Sequence, residues 1–181
     1  METKKLFLCM LFGILCSSAN SQAAETKTGV SNLLKLNFLS PGVSYEQKIF
    51  IYQTLHLSTF MDIGISTLVT DDGNETDVYY LPFFNAQFRT YYNIPKLIRK
   101  GFDTSSNSGS YVAPVYFAGY SFSEEKTRHQ VGAVWGVQRT APKGFSIDVN
   151  VGVSYTFQQE TYTPGNSAFN PILQIALGFK I

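Results

Sequence analysis

The chain has 181 residues, with 14 basic against 13 acidic side chains, and a formal net charge of +1 carries no bias toward nucleic acid or an anionic surface. Its two cysteines are Cys9 and Cys16, so a chain matured beyond them would have neither a disulfide nor a thiolate metal site. The length suits one domain.

The first residues read as a secretory signal peptide. A short basic start with Lys4 and Lys5 precedes an unbroken apolar run from Leu6 to Cys16, and small residues follow. The run is shorter than the roughly 20 residues a membrane-spanning helix needs. Cleavage is expected after Ser21 or after Ala23, giving a signal over 1–21 and a mature barrel domain over 24–181. Cys9 and Cys16 each follow a leucine rather than the small residue a lipoprotein anchor requires. Loss of Lys4, Lys5 and Glu2 leaves twelve basic and twelve acidic residues, a mature net charge of zero.

Beyond that point the hydrophobic period is two, the period of a strand with two distinct faces. Residues 33–39 set Leu34, Leu36 and Phe38 against Lys35 and Asn37. Residues 43–50 set Val43, Tyr45 and Ile49 against Ser44, Glu46 and Lys48. A turn region over 51–56, containing His56, leads to 57–69, where Met61, Ile63 and Ile65 oppose Ser58, Asp62 and Gly64. Residues 78–92 alternate Phe84, Ala86 and Phe88 with Asn85, Gln87 and Arg89. Residues 111–122 are apolar on both sides and read as a strand from their β-branched and aromatic content. Residues 128–138 oppose Val131, Ala133, Trp135 and Val137 to Gln130, Gly132, Gly136 and Gln138. The clearest alternation runs over 145–157, where every odd position is large and apolar. Residues 172–181 close the chain with Ile175, Leu177, Phe179 and Ile181 on one face.

Turn chemistry at Ser40–Gly42, Asp71–Asn74, Ala141–Gly144 and Thr163–Asn166 joins these segments as hairpins. Only 93–110 is too long for a tight turn. Pro95 near a start and Gly101 as a stop predict one short helical turn there, in a segment that either caps the lower mouth of the barrel or meets a periplasmic partner, or else is a mobile insertion. The fold expected is all-β: an eight-stranded antiparallel up-and-down transmembrane β-barrel.

Alternation alone does not separate a membrane barrel from a soluble lipocalin-like binder. The polar face decides. It consists mostly of Gly, Ser, Asn, Gln and Thr with a few charges, which suits a crowded interior rather than a solvated exterior, whereas the apolar face is bulky and aromatic, as a lipid-facing band is. Aromatics also gather at segment ends, at Tyr79 and Tyr80, Tyr91 and Tyr92, Tyr120 and Phe122, and Tyr155 and Phe157, where membrane boundaries favour them. The stretches Leu34–Lys48, Ala86–Asn93, Arg99–Gly101 with Asn107–Gly109, and Val134–Arg139 resemble a family of small outer-membrane β-barrels common in Bacteroidetes and classed as a domain of unknown function. The resemblance covers essentially the whole mature chain. It implies a bacterial outer-membrane location and no particular activity.

An eight-stranded barrel is just wide enough for side chains to fill it. Face counting puts Lys35, Glu46, Lys48, Asp62, Arg89, Asp148 and Lys180 inside, all in one half of the lumen, where opposite charges on neighbouring strands should pair. Asp148 is expected beside Lys180, and Asp62 beside Arg89 unless the partner of Arg89 is Asp148 across the lumen. The expected role is non-catalytic: an envelope element or a platform whose surface loops bind a partner. Its partners would be outer-membrane lipids and a periplasmic or surface protein, without nucleic acid or cofactor. The alternative is a lipid A deacylase-like enzyme. His129, with Glu124 and Glu125 near in sequence, holds a suitable rim position, but Val131 stands where a nucleophile is wanted. Asp71–Asp77 offers oxygen ligands without EF-hand spacing, and His56 and His129 alone do not form a metal site.

Overall fold

The computed structural model describes residues 29–70, 73–104, 106–121, 126–157 and 169–181, with side chains from 62–81, 121 and 126 excluded. The signal-peptide expectation, the side chain of Asp62, and Glu124 and Glu125 therefore lie outside the described residues.

Eight strands follow in chain order: β1 (Leu33–Asn37), β2 (Gly42–Phe50), β3 (Gln53–Thr70), β4 (Gly73–Tyr91), β5 (Gly109–Ser121), β6 (Lys126–Thr140), β7 (Phe145–Phe157) and β8 (Phe169–Lys180), with one helix, α1 (Ile94–Arg99), between β4 and β5. Each strand pairs antiparallel with the next, and β1 pairs with β8, so the sheet closes into a barrel. The two-residue period therefore locates the strands, and 145–157 matches β7 at both ends. Most other boundaries shift by one to three residues, and two by more. β3 begins at Gln53, so His56 stands in a strand rather than a turn, because Thr54, His56 and Ser58 already alternate with Leu55 and Leu57. β4 begins at Gly73, which takes most of the acidic Asp71–Asp77 stretch into the β3–β4 hairpin.

The two faces differ in chemistry. Inward positions include Lys35, Ser44, Glu46, Thr54, Ser58, Asn85, Gln87, Arg89, Gln138, Asp148 and Asn150, all buried. Outward positions are apolar and bare: Trp135 is 48% exposed, Val153 58% and Leu173 68%. β5 departs from this rule, since its inward side carries Tyr111, Ala113, Val115 and Phe117. It is the strand whose sequence is apolar on both sides, and its inner row forms an apolar wall of the lumen. Pro114 has no N–H to donate, and the β4–β5 ladder lapses beside it, between Gln87↔Val115 and Thr90↔Val112.

The ends of the barrel are unequal. At one end the 93–110 connection folds across the mouth. Pro95 starts α1 and Gly101, at φ 78°, ends it, as the sequence predicts. Ile94 then packs with Val30, Tyr91 and Tyr111 in a buried cluster. Asn107 fixes the return. Its Oδ1 accepts from the Ser31 N–H at 2.7 Å, and its Nδ2 donates to the Ser31 carbonyl at 2.9 Å. Its φ of 55° is a left-handed conformation that Asn tolerates better than most residues. The described residues of the segment thus dock across the mouth as a plug, the arrangement that the capping expectation describes.

The wall is also unequal in height. The β1–β2 hairpin turns at 38–41, and β1 reaches β8 through Lys35↔Lys180, Leu36↔Phe179 and Asn37↔Gly178, with two further bonds, from the Phe38 N–H to the Leu177 carbonyl and from the Ile181 N–H to the Leu34 carbonyl. The β2 ladder on β3 likewise starts at Gly42↔Phe60. Above the hairpin a notch separates the upper part of β8 from the upper part of β3. Pro171, lacking an N–H, stands on the β8 side of it, as a proline at a strand edge does.

Candidate functional site in the lumen

The lumen divides into a packed floor above the plug and a chamber above that floor. The floor is a charge network. Arg89 on β4 reaches across to Asp148 on β7, with Nη1 2.8 Å from Oδ2. Its Nε donates to Gln87 Oε1 at 2.8 Å, Nη1 also donates to Gln138 Oε1 at 3.0 Å, and the guanidinium lies 4.2 Å from the centre of the Tyr111 ring. The Tyr111 hydroxyl in turn donates to Asp148 Oδ1 at 2.7 Å. Gly136 makes this possible: a Cβ there would sit 2.4 Å from Tyr111 Cζ.

Glu46 on β2 forms the second centre. Its Oε1 accepts from Thr54 Oγ1 at 2.6 Å and from the Tyr91 hydroxyl at 2.7 Å, and its Oε2 accepts from Gln138 Nε2 at 3.2 Å. Lys35 on β1 donates to Gln138 Oε1 at 2.6 Å. Gln138 therefore accepts from both buried cations with its oxygen and donates to a buried carboxylate with its nitrogen. Two cations and two anions cancel, and each has hydrogen-bond partners, the condition under which buried charge is tolerable.

Of the seven residues expected in the lumen, Lys35, Glu46, Arg89 and Asp148 are brought together. Three are not. Lys180 does not meet Asp148, whose β8 neighbour is Ala176; it is exposed at the barrel foot, with Nζ 3.3 Å from Ser106 Oγ of the plug. Lys48 is half-buried at the foot of β2, and its backbone N–H donates to Asn32 Oδ1 at 2.7 Å. Asp62 is not beside Arg89: Thr54 occupies that register position, and Asp62 lies eight residues further along β3, about 26 Å at roughly 3.3 Å per residue. Pairing therefore runs across the lumen rather than between neighbouring strands, because inward side chains of a narrow barrel meet at its axis. Tyr91 is also an inward ligand of Glu46 rather than part of an outer aromatic rim. Its neighbour Tyr92 does face out and accepts from Trp135 Nε1 at 2.8 Å.

The chamber above the floor has a volume of about 350 Å³. Lys35, Arg89 and Asp148 form its base; His56, Asn85, Gln87 and Asn150 line its wall; Phe60, Phe83 and Phe117 stand higher. His56 Nδ1, Asn85 Oδ1, Gln87 Nε2 and Asn150 Oδ1 are buried without a protein hydrogen-bond partner. Sequence reading missed this group because no motif joins residues on β3, β4 and β7; only inward parity and the absence of charge mark them.

On the outer wall, His129 Nδ1 lies 2.8 Å from the Tyr116 hydroxyl, and the two rings stack with centroids 6.1 Å apart. Val131 is the next outward residue of β6. On β6 the outward neighbours of this aromatic pair are Thr127 and Val131, and the position two residues beyond His129 carries no nucleophile.

The molecule thus belongs to the class of closed eight-stranded antiparallel barrels with a polar interior and an apolar wall. No family model, curated protein or solved structure matches the chain.

Proposed function

We propose that this protein is a non-catalytic β-barrel of a bacterial outer membrane, plugged at its periplasmic end and serving as an envelope element or as a platform whose outward loops bind a partner. One observation carries the reading: the polarity of the barrel is inverted relative to a soluble one. Apolar side chains cover the outside on every strand, while charge and amides fill the inside. Soluble monomers rarely expose contiguous apolar patches beyond about 300–600 Å², and here the apolar face runs around the ring. Lipid is the solvent that suits it, and a closed sheet is one of the two structures that satisfy every backbone group in lipid. The resemblance to the Bacteroidetes barrels of unknown function points the same way. The signal peptide supplies the export route.

A soluble periplasmic lipocalin-like binder would need the opposite distribution of side chains. A lipid A deacylase-like enzyme of the kind considered would need a nucleophile two residues beyond His129, where Val131 stands. The test is heat-modifiable gel mobility of the isolated outer-membrane fraction. The expected result is a band that runs faster unboiled than boiled. Recovery in the soluble fraction, or identical mobility in both states, would overturn the reading.

A further inference from the structure

We propose that the chamber and the notch form one site that takes a neutral amphiphile from the side, with its hydroxyl-bearing head inside the barrel and its apolar chain lying through the wall. The proposal rests on the membrane reading for the source of the ligand, but its chemistry comes from the cavity.

The cavity reaches through the wall. Its lining joins Asp148 on the inner floor to Ser40 in the β1–β2 turn and to Leu173 and Ile175, whose side chains point out of the barrel. The stretch of β8 that lines the cavity, 171–176, is the stretch without a β1 partner, so the cavity meets the notch above the short β1–β2 hairpin. A molecule in the chamber can therefore extend outward over the hairpin turn.

The two ends of the cavity differ in chemistry. Deep inside, His56, Asn85, Gln87 and Asn150 are each at least 95% buried and hold the unpartnered polar atoms. An unpartnered buried polar atom costs roughly 1–3 kcal/mol, and four around one space set the demand on whatever fills it. Asn85 and Asn150 offer carbonyl oxygens, Gln87 offers an N–H, and the His56 ring nitrogen can take either role. Hydroxyl groups both donate and accept, so a hydroxylated head meets all four. Formal charge is not needed: Lys35 and Arg89 are already balanced by Asp148 and Glu46, so a charged head would leave the buried floor with an uncompensated charge. Toward the notch the lining becomes apolar. Phe60 and Phe83 stack with centroids 5.5 Å apart on one side, and Ile172, Leu173 and Ile175 stand on the other. The volume lies near the lower end of the roughly 300–1,000 Å³ of ligand sites, enough for a small head but not for a chain folded back inside.

The test uses the full mature barrel, refolded in lauryldimethylamine oxide and labelled for detection of side-chain amides by nuclear magnetic resonance. Three probes are titrated: monolauroylglycerol, glycerol, and lauric acid at neutral pH. Monolauroylglycerol is expected to give saturable shifts of the Asn85, Gln87 and Asn150 amides, at least tenfold tighter than either other probe. Asn150→Leu should weaken it at least tenfold. Ser40→Trp, placed at the turn to fill the notch without touching the polar wall, should do the same with an unchanged melting temperature. Absence of saturable shifts with every probe would overturn the proposal and leave ordered water in the chamber. Equal binding of glycerol would remove the lateral chain, and tighter binding of lauric acid would replace the neutral head with an anionic one. Binding by a protein that fractionates as soluble would refute the membrane reading while leaving the site in place.

Discussion

Arg89 shows how much the floor depends on single side chains. It is 1% exposed and bonds to Asp148, Gln138 and Gln87 at once. Removing one member of a buried pair costs about 3–5 kcal/mol because the other charge stays behind, whereas replacing both with apolar groups is often nearly neutral. Arg89→Met should therefore lower the melting temperature of the purified barrel in detergent clearly, and adding Asp148→Leu should recover most of the loss. A single variant that melts like wild type would mean that the guanidinium is solvated rather than paired. Gln138→Leu gives the complementary case. It strips Lys35 and Glu46 of a shared partner without changing any charge, and hydrogen bonds to charged groups contribute about 1.5–3 kcal/mol each. It should destabilise to a similar degree, and Asp148→Leu should not rescue it. The four charges were legible in the sequence from parity alone. Their partners were legible only as alternatives: Asp148 across the lumen stood second to Asp62 as the partner of Arg89, since parity fixes the face of a residue but not which inward residues meet across the axis. Gln138 was visible only as one more polar inward position, and its role as the link between both cations follows from the barrel's width.

The 93–110 connection separates local from long-range information at the level of the element. Its helix was legible because Pro95 and Gly101 act on their own neighbourhood. Its docking was not, because the residue that holds it, Asn107, bonds to Ser31, 76 residues away in the chain. The plug also closes the buried cluster of Ile94, Val30, Tyr91 and Tyr111. Replacing residues 94–108 with a four-residue Gly/Ser turn should leave the ladder between β4 and β5 intact, since Tyr91↔Tyr111 already pair at the barrel foot. The shortened barrel should give a step conductance in planar bilayers, whereas the intact protein should give none. A silent variant would show that the charged floor alone blocks the lumen. Asn107→Ala is the gentler probe: loss of both Ser31 bonds at a left-handed φ should make the exposed bond after Phe102 more sensitive to protease while the barrel stays folded. The β1–β2 hairpin teaches the opposite lesson about elements. Ser40–Pro41–Gly42 was legible as a turn, but the notch it leaves depends on β3 and β8 being longer, and comparing strand lengths across a barrel requires the register.

The whole molecule has a direction. Both the N-terminal end of β1 and the C-terminal end of β8 lie at the plugged end, together with the β2–β3 and β6–β7 turns. Among the described residues the β3–β4 hairpin extends furthest the other way, with strands of 18 and 19 residues, well beyond the roughly 9–11 that cross a bilayer. Outer-membrane barrels have short turns on the periplasmic side and longer loops outside, so the plug should face the periplasm and the tall hairpin the exterior. A protease site inserted between Thr70 and Gly73 should accordingly be cut in intact cells. The internal control must lie at the plugged end on an accessible residue, or protection would reflect burial rather than sidedness. Ser108 fails that condition at 9% exposed, whereas Phe102 is 61% exposed. A site inserted after Phe102 should survive in intact cells and be cut once the outer membrane is permeabilised. Cleavage at Phe102 with protection of the hairpin would invert the orientation and place the plug at the cell surface. Cleavage of both sites in intact cells would mean that the barrel does not span the membrane at all.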